Sequence, residues 1–299
     1  MDADGAKELV NNVDTFLFDC DGVLWDWNVA IDGAVECVNK LKAMGKRCYY
    51  VTNNFSKSRQ ALLTKLQDFG FKDVVEDDIV CTAWAVGQHL KELGFKDKAY
   101  LMGTDEAGLE LDLAGIRHVG LGPDNNDPDL PYYDYNKIIK LDPEVKCVIV
   151  GFDHHLSLVK LSYVSSYLCD DSVLYFAPDT FHSVKLVDSK VMLPGNLGII
   201  QALKSTVARE PHVVGKPSTF MWNKLKAKFG LDEARTCMVG DTLEADILFA
   251  KNCNIKYSLA VLSGHTTEKE IKKVETMAEY ANHVPEFYAN SLKNLSQFL

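Results

Sequence analysis

At 299 residues the chain is long enough for one large α/β domain or two smaller ones. Its 47% hydrophobic and 25% charged residues are those of a globular protein with a substantial core. A formal net charge of −10 argues against a nucleic-acid or anionic-membrane partner, since both need a basic face. It leaves open a small anionic substrate, whose capture depends on the local field of a pocket.

The first residues, Met1-Asp2-Ala3-Asp4-Gly5, are acidic and lack the basic-then-apolar pattern of a secretory signal. No apolar run is long enough to cross a bilayer, so no membrane partner is expected. The eight cysteines are scattered, with no C-x-x-C pair, and several sit inside apolar runs such as Arg47-Cys48-Tyr49-Tyr50-Val51 and Lys146-Cys147-Val148-Ile149-Val150. They predict buried, reduced thiols and a cytoplasmic location. In that setting the sequons at Asn54 and Asn294 are chance matches.

In chain order, Thr15-Phe16-Leu17-Phe18-Asp19 is a short apolar run ending in a carboxylate. An amphipathic helix is predicted over 33–44, stopped by Gly45. Cys48-Tyr49-Tyr50-Val51-Thr52 follows as a buried strand, then a helix over 57–69 closed by Gly70. Late in the chain the rhythm returns, with strands at His212-Val213-Val214-Gly215, Thr236-Cys237-Met238-Val239-Gly240 and Ser258-Leu259-Ala260-Val261-Leu262. Such alternation predicts a mostly parallel sheet with helices on both faces, an α/β fold whose site lies at the carboxyl ends of its strands. Asp19, Thr52, Gly215-Lys216 and Asp241 all fall at such ends.

The middle third has its own pattern. Strands are predicted at Ala99-Tyr100-Leu101-Met102, 145–150 and 173–176, with a helix over 157–168 and an acidic loop, Gly122-Pro123-Asp124-Asn125-Asn126-Asp127-Pro128. A segment of that size reads as an inserted domain, giving a core of 1–94 and 200–299 and an insertion of 95–199.

Phe18-Asp19-Cys20-Asp21-Gly22-Val23-Leu24-Trp25 sets two carboxylates two residues apart just past a strand. One can attack phosphorus in line, forming an acyl-phosphate; the other can protonate the leaving alcohol and then deprotonate water. Alone, an Asp-x-Asp-Gly turn is only moderately specific. Val51-Thr52-Asn53-Asn54 adds a hydroxyl and a backbone amide for phosphoryl oxygens, and Val214-Gly215-Lys216-Pro217 adds a fixed cation. Gly240-Asp241-Thr242-Leu243-Glu244-Ala245-Asp246 adds further acids. Asp241 with Asp19 makes an oxygen-rich site suited to Mg²⁺.

These four segments, in this order, resemble the motifs of the haloacid dehalogenase superfamily. Asp19 and Asp21 match the first motif, Thr52 the second, Lys216 the third, and Asp241 with Asp246 the fourth. The resemblance spans nearly the whole chain. It implies a Mg²⁺-dependent phosphatase with a Rossmann-like core, Asp19 as nucleophile and Asp21 as general acid/base. It implies Mg²⁺ on Asp19, the Asp21 backbone carbonyl and Asp241, with Asp246 in support. Ala245 departs from the Thr usual in relatives, at a position with no ligand role.

Only 32 residues separate Asp19 from Thr52, whereas 163 separate Thr52 from Lys216. A large insertion at the second place resembles the C2-type cap of the p-nitrophenylphosphatase-like group, which includes phosphoglycolate and pyridoxal phosphate phosphatases. Val150-Gly151-Phe152-Asp153 and Val214-Gly215-Lys216-Pro217-Ser218 carry the same resemblance. It implies a small phosphorylated metabolite as substrate and a homodimer through the cap. In the cap, Asp179-Thr180-Phe181-His182 before Pro194-Gly195 resembles the substrate loop of pyridoxal phosphate phosphatases, which makes Asp179 and His182 candidate substrate contacts. Phe152 is closer to the phosphoglycolate-type pattern, and the reading leans to phosphoglycolate and 4-nitrophenyl phosphate, with pyridoxal 5′-phosphate as the alternative.

Three rivals are weaker. A dehalogenase has no need of Asp21. A non-catalytic scaffold would be marked by loss of Asp19 or Lys216. A transition-metal site at Asp153-His154-His155 has no further Cys or His at ligand spacing.

Overall fold

A computed structural model describes residues 2–124, 131, 134–185 and 190–299. Positions 125–128 of the acidic loop therefore lie outside the described residues. The chain forms two compact units, one of residues 1–52, 59–81 and 215–299, the other of residues 53–58 and 82–214.

The first unit is built on a six-stranded sheet, all of whose neighbouring strands run parallel. From one edge to the other its strands are Phe287–Ala289, Tyr257–Val261, Thr236–Gly240, Thr15–Phe18, Arg47–Thr52 and Ile79–Cys81. Thr15–Phe18 and Thr236–Gly240 are buried at every position, as strands covered on both faces must be. The helix predicted over 33–44 is Ala34–Ala43, entered from Gly33 and left through Met44 and Gly45. The helix predicted over 57–69 is Arg59–Asp68.

Strand order decides where a crevice can open. From the central Thr15–Phe18 strand the chain builds outward to Arg47–Thr52 and Ile79–Cys81, then returns to add Thr236–Gly240 and its successors on the other side. The order therefore reverses between Thr15–Phe18 and Thr236–Gly240. Such a switch point opens a crevice at the carboxyl ends of the two strands.

The second unit has its own five-stranded parallel sheet, in the order His212–Val213, Leu174–Ala177, Val145–Val150, Lys98–Met102, Arg117–Val119. The predicted helix over 157–168 is Leu158–Leu168, with the Ser157 side chain accepting from the Lys160 N–H. Under this helix lies a fully buried ion pair, Lys160 Nζ to Asp153 Oδ2 at 2.5 Å. Asp153 Oδ1 accepts from the His155 N–H at 2.7 Å. A hairpin pairs Ser183–Lys185 with Met192–Pro194.

Two expectations need correction. His212–Val213 is not a strand of the first sheet: it pairs with Phe176 and Ala177 in the second, and the Val214 N–H donates to the Ala177 carbonyl at 3.0 Å. A two-residue apolar run carries no signal of which sheet it joins, because its periodicity is the same in both. The boundaries also move, from 94/95 and 199/200 to 81/82 and 214/215. Helix Thr82–Glu92 packs against helix Asp105–Leu113, and Asn196 is tied to the Val150 carbonyl at 3.0 Å, so both flanks belong with the second unit.

Candidate active site

Asp19 directly follows the central strand, its N–H donating to the Val239 carbonyl of the neighbouring strand at 2.8 Å. That bond extends the ladder by one step and sets Asp19 at the switch point, beside Asp241 at the end of Thr236–Gly240. Lys216 lies beneath them, buried, with Nζ 2.6 Å from Asp19 Oδ1, 2.7 Å from Asp246 Oδ1 and 2.8 Å from the Val51 carbonyl. Burial by itself pushes the Lys216 ammonium down. The charges of Asp19 and Asp246 outweigh it and hold the group above the ordinary lysine range.

Asp246 reaches the site from a wide π-helical turn, Leu243–Ile247. Its Oδ2 accepts from the N–H groups of Asp241 and Thr242 at 3.2 and 3.1 Å, so its two oxygens hold three neighbours. Asp241 accepts from the His265 N–H at 2.8 Å and from the Thr242 hydroxyl at 3.3 Å. Burial first, and the charge of Asp19 second, raises the Asp241 carboxyl to about 7. Burial likewise raises Asp246 to about 7, against the opposing pull of Lys216.

Asp21 stands slightly apart. It keeps an open side to solvent, yet the protein packed around its carboxyl, and then the charge of Asp19, raises its pKa. Trp25 Nε1 donates to its Oδ1 at 2.8 Å. Thr52 is buried at the end of its strand, next to the carbonyl that receives Lys216.

Acidic side chains at a strand end do not by themselves make a metal site, so the fit of a cation rests on how this cluster is built. One oxygen from each of Asp19, Asp241 and Asp246 lies within 4.8 Å of the other two. Asp19 and Asp241 offer carboxylate oxygens, the hard ligands that Mg²⁺ prefers, while Asp246 is committed to Lys216 and two N–H groups; opposite ligands of octahedral Mg²⁺ stand about 4.2 Å apart. The Asp241 carboxylate also sits in a cradle of two glycines. A methyl group on Gly22 would meet its Oδ2 at 2.4 Å and one on Gly264 at 2.0 Å. The residues present fit a hard divalent cation.

The remaining candidates belong to the second unit. Asn53 is buried, its carbonyl accepting from the Thr82 hydroxyl at 3.4 Å. Asp179 accepts from the Phe181 N–H at 3.0 Å, and burial raises its carboxyl to about 6. His182 is exposed, with its carbonyl receiving the Gly195 N–H at 2.9 Å. In Asp153-His154-His155 the carboxylate is committed to Lys160.

The loop Ser263-Gly264-His265 was not among the residues expected at the site, although Ser263 Oγ also donates to the Gly22 carbonyl at 2.8 Å. Its one signal was a glycine just past a predicted strand.

A haloacid dehalogenase-like hydrolase model matches residues 16–117 and a second HAD-hydrolase-like model matches residues 213–295. Phosphoglycolate phosphatase 1A, chloroplastic, of Arabidopsis thaliana is 36% identical over 97% of this chain and 78% of its own. The chain belongs to the haloacid dehalogenase-like hydrolase family. The glycerol-3-phosphate phosphatase of Mus musculus is 34% identical to this hydrolase over 99% of its length and 94% of the mouse protein. A solved p-nitrophenyl phosphatase from Archaeoglobus fulgidus shares the fold with a TM-score of 0.79 at 28% identity, covering 96% of this chain and 100% of that one. The expected fold, a Rossmann-like core with an α/β cap, is borne out. Among the described residues no helix is long and apolar enough to cross a membrane.

Proposed function

We propose that this hydrolase, a phosphatase of small phosphate monoesters, works through a covalent aspartyl-phosphate on Asp19. The observation that carries the reading is the ammonium of Lys216 held between Asp19 and Asp246, with Asp241 alongside, at the sheet's switch point. Asp19 attacks phosphorus; the bond to the leaving oxygen breaks, and that oxygen takes a proton from Asp21. Water then attacks the acyl-phosphate, gives a proton to Asp21, and releases phosphate and the Asp19 carboxylate. The raised pKa of Asp21 suits a group that must be an acid in one half-reaction and a base in the other. Lys216 offsets the negative charge of the nucleophile, and the Thr52 hydroxyl and Asn53 amide are assigned to the phosphoryl oxygens.

Mg²⁺ would be held by Asp19, Asp241 and the Asp21 backbone carbonyl. The commitments of Asp246 to three neighbours support its part as an organiser of that group. When bound, the cation supplies a positive charge that draws phosphoryl group and carboxylate together.

The relatives named for phosphoglycolate, glycerol 3-phosphate and p-nitrophenyl phosphate support a small aliphatic or simple aryl monoester as substrate. Asp179 and His182 remain the cap residues assigned to the leaving group. A homodimer through the cap is part of the proposal; exposed Phe181, Met192 and Leu193 around the cap hairpin support it, and light scattering tests it. Eight free cysteines, seven of them buried, support a reducing, cytoplasmic setting.

The test is phosphate release from 4-nitrophenyl phosphate, 2-phosphoglycolate, glycerol 3-phosphate and pyridoxal 5′-phosphate, with and without Mg²⁺. Release is expected to need Mg²⁺ and to vanish in Asp19→Asn, and the ranking of kcat/KM assigns the substrate. Full activity in Asp19→Asn would overturn the mechanism.

A further inference from the structure

The turn that carries Asp21 is closed by its own main chain. The Gly22 N–H donates to the Trp25 carbonyl at 2.8 Å, and the Leu24 N–H to the Cys20 carbonyl at 2.9 Å. On that frame the Trp25 indole N–H donates to Asp21 Oδ1 at 2.8 Å. The indole itself is 1% exposed and packs beside Phe69, ring centroids 6.0 Å apart. Lys65 Nζ stands 4.4 Å from the indole centroid and donates to the Trp27 carbonyl at 2.5 Å. Trp27, half-exposed, has a φ of +50°, a left-handed conformation uncommon for a bulky residue. Such conformations persist where the surroundings over-determine them, and here Lys65 grips both the residue's carbonyl and the neighbouring indole.

A buried indole N–H needs an acceptor, and a backbone carbonyl would satisfy it. In this turn the acceptor is instead one oxygen of a carboxyl whose task is to move a proton. We propose that Trp25 is a positioning residue for the leaving-group acid, with Lys65 as its clamp. The indole N–H occupies Oδ1 and fixes the carboxyl's rotation, so that Oδ2 carries the proton that passes to the leaving oxygen as the phosphorus–oxygen bond breaks. Trp25 exchanges no proton itself. The inference rests on the reading of Asp21 as that acid.

An aryl phosphate pair isolates the effect. Phenyl phosphate and 4-nitrophenyl phosphate differ little in shape, but the nitrophenolate leaves with far less need of a proton. The quantity to compare is kcat/KM, which reports the step that expels the leaving group whether or not a later step limits kcat. For Trp25→Phe, which keeps a ring but loses the N–H, we expect kcat/KM to fall about tenfold or more on phenyl phosphate and less than about threefold on 4-nitrophenyl phosphate. Lys65→Met should show the same bias, smaller. Asp21→Asn, run alongside, should show it most strongly. Equal losses on both substrates in Trp25→Phe, with the bias kept in Asp21→Asn, would overturn the positioning role and leave the indole as packing. Equal losses in Asp21→Asn would instead overturn the acid itself. If Trp25→Phe does not fold, Lys65→Met decides, and an unbiased loss there refutes the proposal.

Discussion

Gly264→Ala is a sharp probe of the candidate active site because it adds one methyl group and replaces none of the side chains assigned to the reaction. The added carbon would lie 2.0 Å from Asp241 Oδ2, 2.6 Å from its Cγ and 2.8 Å from its Cβ. Carbon–oxygen contacts settle at about 3.3 Å or more, so the carboxylate must retreat by roughly 1 Å. A displacement of that size at a reacting centre costs on the order of 100-fold in rate, equivalent to about 2.7 kcal/mol. The cost to stability is expected to be about 1–3 kcal/mol, the usual range for overpacking. The assay is kcat/KM on 4-nitrophenyl phosphate across a Mg²⁺ titration, with thermal unfolding in parallel. The expected result is a large loss of activity and a raised Mg²⁺ midpoint in a folded protein. Gly198→Ala serves as the control. It lies in helix Asn196–Lys204 with only Pro194 Cβ, at 4.0 Å, near the added carbon, and should gain roughly 0.5–1 kcal/mol of stability. Activity of Gly264→Ala within about threefold of the parent, with an unchanged Mg²⁺ midpoint, would refute the cradle argument.

Lys160→Met leaves the Asp153 carboxylate buried without its cation, and chemical denaturation should show a loss of about 3–5 kcal/mol. Adding Asp153→Asn should restore part of it; a double variant no better than the single would mean the pair is not coupled. The metal-free protein should also become less stable as pH rises. Burial raises the carboxyls of both Asp241 and Asp246 in the folded protein above the ordinary value of about 4 that they have when unfolded. Between the unfolded and folded values the unfolded chain has already ionised, so unfolding is favoured increasingly as pH rises and the penalty is constant above the folded values. Melting in EDTA from pH 5 to 8 should show this fall, and the stabilisation on adding Mg²⁺ should grow over the same range. A Mg²⁺ increment independent of pH would refute it.

Much of the candidate site was legible because strand ends announce themselves. Asp19, Thr52 and Asp241 each terminate an apolar run, and the parallel sheet turns that linear pattern into a shared edge. What stayed hidden depends on geometry that residue types do not encode. The wide turn that brings Asp246 back under Asp241 differs from an ordinary helical start only in its hydrogen-bond spacing, with Ile247 N–H reaching the Thr242 carbonyl at 3.4 Å. Gly264 matters for what it lacks, and an absent side chain leaves no chemical signature. Trp25 closes the Asp19–Asp21 motif in the sequence, and only coordinates show its N–H on Asp21. The unit boundaries were misread because helix Thr82–Glu92 has the same amphipathic pattern whichever sheet it serves.

The pairing of Thr15–Phe18 with Thr236–Gly240 also bears on how the protein is made. Asp19 and Asp241 sit just past the ends of adjacent strands yet are 222 positions apart in the chain. At ribosomal rates of about 5–20 residues per second, the central strand emerges roughly 10–40 seconds before its second neighbour exists. During that interval the edge that will receive Thr236–Gly240 is a template for wrong partners; the Arg47–Thr52 strand pairs with the opposite edge and does not cover it, so the burden falls on chaperones. The same delay keeps Asp19 without Lys216 and Asp241 until translation is almost finished.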